Sequence, residues 1–176
     1  MSRPRRPPPP LTAEMLERLA LRYVERYATT RAKLAAYLER KIRERGFEDG
    51  VPQVTAIVER FAELGYVDDR AFAEARAAAM ARRGLGERRV ASALWQAGVE
   101  ADDAEALAPD IAERAVESAV TFARRRRIGP FAAEAPDRSG REKHIAAMIR
   151  AGHAFELARA IASLPPGGDI TFLFEA

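Results

Sequence analysis

Three glycines, Gly46, Gly98 and Gly152, stand 52 and 54 residues apart, and the residues before them correspond. Four positions upstream are Ile42, Leu94 and Met148; eight upstream are Leu38, Val90 and His144. Positions four and eight apart share one face of an α-helix. Each glycine therefore closes an amphipathic helix at the place where a left-handed residue is favoured. Recurrence at a fixed period is the signature of a repeat architecture, in which no unit buries its apolar face alone. The fold expected is all-α: three tandem three-helix repeats forming an elongated, curved right-handed or solenoid-like molecule. The third repeat is the most degenerate, because His144 replaces an aliphatic residue.

The stripes between these glycines support the reading. Leu16, Leu19, Ala20, Tyr23, Val24 and Tyr27 follow helical spacing, as do Leu34, Leu38 and Ile42 after a capping Thr30. Pro52 sits where a first helical residue belongs, ahead of Val54, Ile57, Val58, Phe61 and Leu64. Asp68 and Asp69 are expected to cap a fourth helix with Phe72, Ala75, Ala79 and Met80 inward, broken by Gly84 and Gly86. Val90, Leu94 and Ala97 mark a fifth, Asp102 to Ala108 a sixth, and Ile111, Ala115, Ala119 and Phe122 a seventh opened by Pro109 and Asp110. Ile145, Met148 and Ile149 give an eighth, and Leu157, Ala158, Ile161 and Leu164 a ninth before Pro165. Apolar residues make up 48% of the chain and aromatics only 7%, so alanine supplies much of the core.

The expected division is a disordered basic, Pro-rich arm at 1–10, repeats at 11–66, 67–108 and 109–164, and a C-terminal tail at 165–176. The tail reads equally as a short strand, a docking segment or a frayed end.

Charge follows the same units. Residues 11–45 carry +4 and 46–69 carry −5; 70–98 carry +4 and 99–118 carry −6; 119–160 carry +5. A net charge of +3 thus conceals basic helix pairs, and stacked units would align them into a basic stripe. Solvated helix surface is the plainer account of the same pattern. Only Lys33, Lys41 and Lys143 are lysines; the other basic residues are arginines, suited to phosphate and carboxylate.

Catalysis has little to build on. No cysteine is present, and His144 and His153 lack metalloprotease spacing, so helix surface or cap positions are expected for both. Asp68/Asp69 and Asp102/Asp103 sit at helix starts, where capping explains them. No phosphate-cradling loop occurs. No enzyme activity, cofactor or metal is expected. No apolar run approaches a membrane span, and no secretory leader opens the chain, so a cytoplasmic, monomeric protein without membrane contact is the expectation.

The segment ALRYVERYATTRAKLAAYLERKIRERGF, from Ala20 to Phe47, resembles the first repeat of the RecX family. LGYVDDRAFAEARAAAMARRGLGERRVASALWQAGV, from Leu64 to Val99, is similar to the second; VDDRAFAEA, RRGLGERRV and the closing AGV are specific in combination. IRAGHAFELARAIA resembles the third more weakly. The resemblance spans residues 16–164. It implies a curved three-repeat protein that binds RecA nucleoprotein filaments and damps recombinase activity in DNA repair, some relatives also binding single- or double-stranded DNA. Two features depart from the family pattern. Lys33 occupies the capping-box position three after Thr30, placing positive charge at a helix N-terminus. Trp95 and Ala97 stand where relatives usually carry polar residues.

The binding candidates follow. Arg82, Arg83, Arg88 and Arg89 flank the second repeat's central turn, and Arg31 is a similar position by family correspondence. Arg124, Arg125, Arg126 and Arg127 form the densest run; a helix turns them around its axis, so all four cannot face one ligand. Trp95 lies beside the Val90/Leu94 stripe, where it either packs between units or serves as a partner anchor or a base-stacking platform. A nucleic-acid binder with a target other than RecA and a helical scaffold for another protein are the rival readings.

Overall fold

The computed structural model describes residues 9–175. Ten α-helices make up the described chain: α1 (Ala13–Arg26), α2 (Arg31–Arg45), α3 (Val54–Glu63), α4 (Asp69–Arg82), α5 (Glu87–Gln96), α6 (Ala101–Ala106), α7 (Ala108–Glu113), α8 (Ala115–Arg126), α9 (Arg138–Arg150) and α10 (Phe155–Ser163). Short 3-10 turns occupy Gly129–Phe131 and Thr171–Phe174. The described residues contain no strand, only an isolated parallel bridge between Leu11 and Phe47. The fold is all-α, as the periodicity indicates. Most of the arm expected at 1–10 lies outside the described residues. Within it, the Pro9 carbonyl accepts hydrogen bonds from Arg45 Nε and Nη2 at 3.1 and 2.8 Å.

The chain divides into two compact units. The first runs to Phe72 and includes Ala97–Val99. Its core joins Leu16 and Ala20 of α1, Leu34 and Leu38 of α2, and Ile57, Val58 and Phe61 of α3, with Leu11 and Val67. Leu34 and Leu38 are fully enclosed, so truncating either to alanine costs about 2–5 kcal/mol. Thr12 caps α1 by accepting the Met15 N–H, and Thr30 caps α2 by accepting the Lys33 N–H. Pro52 does not open α3: that helix starts two residues later, with Gln53 at its N-cap making no side-chain bond.

The second unit comprises Ala73–Gln96 and the chain from Glu100. Ala119, Val120 and Ala123 of α8, Met148 of α9 and Ala158, Ile161 and Ala162 of α10 form its core with Ile128 and Leu173. Leu173, in the 3-10 turn Thr171–Phe174, is buried in this core. Along α4 the inward residues are Ala73, Ala77 and Met80, while Ala75 is exposed and Phe72 and Ala79 are half-buried. The helix is therefore turned relative to expectation. Its alanines occupy every face, and alanine carries too little hydrophobic contrast to fix the phase of a stripe. The single seventh helix expected after Pro109 is two, broken at Arg114 (φ −89°, ψ 4°).

Candidate partner-binding surface

The α4–α5 turn is shaped by two glycines. Gly84 adopts φ +78°, and a Cβ there would come within 2.7 Å of the Phe122 backbone. Gly86 sits against Gly152, where a Cβ would lie 2.4 Å from the Gly152 carbonyl carbon. Main-chain bonds join the two turns: Gly86 N–H donates to Ala151 O at 2.9 Å, and Arg88 N–H to Gly152 O at 3.2 Å. His153 follows at once. It is 2% exposed, and its Nε2 lies 3.1 Å from Gly84 O. That places it in the interior, not at the surface or cap position expected. Burial in an apolar setting pushes its pKa below the usual value, opposed by the bond to Gly84 O.

This packing sets the arginines. Arg82 ends α4 and Arg83 follows it, while Arg88 and Arg89 lie in the first turn of α5; all four are exposed. Arg125 Nη1 donates to Arg83 O at 3.1 Å, bringing the end of α8 to the same turn. Arg124 lies over the Phe131 ring at 5.1 Å and Arg126 over Phe122 at 5.8 Å. These three arginines also complement the C-terminal end of the α8 dipole. Arg127 is the one non-glycine residue at positive φ among the described residues (φ 54°, ψ 51°). Ile128 N–H then donates to Ala123 O, and the Ile128 side chain is buried, a Schellman closure with arginine in the position glycine usually fills. Arg124, Arg125 and Arg126 thus meet three different partners.

Arg31 belongs to the first unit and is exposed at the start of α2. Its N–H donates to Asp69 Oδ1 at 2.8 Å. Asp69 lies in the first turn of its own helix, α4, as the sequence indicates, while Asp68 caps that helix, accepting the Ala71 N–H at 2.8 Å. The carboxylate of Asp69 therefore supplies the negative charge that α2 lacks beside Lys33. Asp102 and Asp103 lie in the first turn of α6, where the dipole favours them, but neither side chain caps that helix. Trp95 is 79% exposed. His144 is half-buried, its Nδ1 enclosed without a hydrogen-bond partner. Among the described residues no group of three or more His, Asp or Glu is placed to hold a metal ion, and no helix is long and apolar enough to cross a membrane.

Sequence reasoning passed over one cluster. Tyr23 and Tyr27 of the α1 end and Tyr37 of α2 come together, with Arg26, Arg40 and Lys41 over their rings. The signal was present in the four-residue spacing of Tyr23 and Tyr27, each preceded by an arginine.

Comparison with known proteins agrees with this architecture. A family model described as "RecX, second three-helix domain" matches residues 68–107. The chain is 31% identical over 160 residues to the Regulatory protein RecX of Myxococcus xanthus (strain DK1622), covering 86% of each. Against the Regulatory protein RecX of Agrobacterium fabrum (strain C58 / ATCC 33970) it is 33% identical over 143 residues, 78% of this chain and 76% of the relative. The crystal structure of RecX from Lactobacillus salivarius shares the fold, with a TM-score of 0.65 over 85% of this chain and 93% of that one at 21% identity. Matched along most of its length by relatives of one kind, the chain belongs to the RecX family.

Proposed function

We propose that the chain is a non-catalytic cytoplasmic regulator that binds RecA nucleoprotein filaments and damps their ATPase and strand-exchange activity in DNA repair. The observation that carries this reading is the match to regulatory RecX proteins along 86% of both chains. The exposed arginines around the α4–α5 turn supply the chemistry: guanidinium forks that take DNA phosphates or carboxylates of the recombinase. We read the chain as three repeats, 11–66, 67–108 and 109–164. Gly46, Gly98 and Gly152, all at positive φ, support this.

The test is titration of the purified chain, from substoichiometric to stoichiometric, into a reaction of matching RecA on single-stranded DNA. ATP hydrolysis or strand exchange should slow, and replacing Arg82, Arg83, Arg88 and Arg89 by alanine should relieve the effect. No effect of the unaltered chain across that range overturns the reading in favour of another binding target.

A further inference from the structure

The geometry points to a second binding site, a stacking platform for a single strand of DNA on α1 and α2, built from none of the arginines of the α4–α5 turn or of the end of α8. Tyr23 stacks on Tyr37 with ring centroids 4.3 Å apart and planes 15° from parallel. Tyr27 adjoins Tyr23 at 5.3 Å, tilted by 51°. Arg26 lies 5.5 Å from the centre of the Tyr27 ring, and Arg40 lies 5.5 Å from that of Tyr37. With Arg22 and Lys41 these side chains line an open cleft of about 590 Å³.

The two ends of the cleft differ. At one end Glu44 engages Lys41 at 2.6 Å and Arg40 at 3.6 Å, and the bond to Lys41 holds its carboxyl below the usual range. At the other end Arg22 and Arg26 make no ion pair among the described residues. Tyr27 stands beside them, 49% exposed. Tyr23 and Tyr37 pack against the core of the first unit, which accounts for their presence. No such packing accounts for Tyr27, an aromatic ring held between its neighbour Tyr23 and a guanidinium.

Aromatic faces interleaved with cations are what a single strand requires: bases stack on rings while phosphates meet the charges. A duplex hides its base faces and offers the cations alone. An acidic peptide would use the arginines and leave the rings without purpose. The choice of DNA over RNA rests on the function proposed above.

The test uses the full chain and bare oligonucleotides, with no recombinase present, so its failure is separate from failure of the RecA reading. Anisotropy of a labelled oligothymidine is followed against salt. Tyr27→Ala should weaken binding roughly 5-fold or more, while Tyr27→Phe retains it. Thermal melts should match the unaltered chain for both. Replacing Arg22 and Arg26 together by alanine should flatten the slope of log affinity against log salt by about 1.4. Unchanged affinity in Tyr27→Ala overturns the platform. So does competition by a duplex or by polyglutamate as effective as that by unlabelled oligothymidine. An oligouridine that competes better than oligothymidine overturns the assignment to DNA.

Discussion

Asp69 Oδ1 accepts the backbone N–H of Arg31 at 2.8 Å, across 38 residues of chain. Asp68 beside it caps α4, so two consecutive acids serve the starts of two helices. Thr30 completes the junction. Its hydroxyl accepts the Lys33 N–H at 3.2 Å and donates to Ala97 O at 2.6 Å in a buried setting.

Asp69→Ala should therefore destabilise the protein through α2, by about 1–2 kcal/mol. Asp69→Asn keeps the acceptor and loses the charge, and should cost less. Asp68→Ala should cost about 1 kcal/mol through the α4 cap alone. Denaturant midpoints distinguish them. Equal losses from Asp69→Ala and Asp69→Asn would mean that charge, not the hydrogen bond, is what α2 draws from this residue.

The glycines make a graded series. A Cβ at Gly86 or Gly152 meets backbone at 2.4 or 2.5 Å, whereas one at Gly65 meets nothing within 4 Å. Gly65→Ala should cost about 1 kcal/mol for its left-handed backbone alone (φ +76°). Gly86→Ala, which forces two main chains apart, should cost about 3 kcal/mol or more. Calorimetric melting temperatures rank the series, and a mild Gly86→Ala would show that the two turns separate easily.

His153 sets a pH dependence. Its pKa in the folded chain is lowered, chiefly by burial, so the unfolded chain binds more protons in acid. Stability from this residue is complete above the unfolded value near 6.5 and declines as pH falls below it toward the folded value. The melting temperature should drop across that window, and His153→Gln should drop less steeply. An identical pH profile for the two would place the titration elsewhere.

Arg127 offers a stabilising change. Arg127→Gly relieves the left-handed backbone at the end of α8 and should raise stability by about 0.5–1 kcal/mol. Arg125→Ala removes only an exposed bond to Arg83 O and should leave the melt almost unchanged. If both variants also slow RecA as the unaltered chain is proposed to do, the end of α8 is not where the proposed filament contact lies.

The helices were legible because their stripes and terminal glycines are strong local signals. Leu34 and Leu38 read as core from spacing alone, and they are. The alanines of α4 were not placed correctly, since a residue that is acceptable on every face reveals none. Asp69 stands at the start of its own helix as read, but its bond to Arg31 was not legible, because capping is read along the chain and that partner lies 38 residues away. The interior position of His153 depends on Gly84, 69 residues distant, which no local pattern announces. The arginines of the candidate surface are exposed, but the directions of Arg124 and Arg126 come from ring contacts that composition does not encode.

The seam between Gly86 and Gly152 is held by main-chain donors and acceptors, with no side chain taking part in either hydrogen bond. Such a joint is indifferent to the identity of its neighbours provided the two glycines stay. Arg83, Arg88 and Arg89 can then be replaced while the main-chain geometry that presents them stays intact.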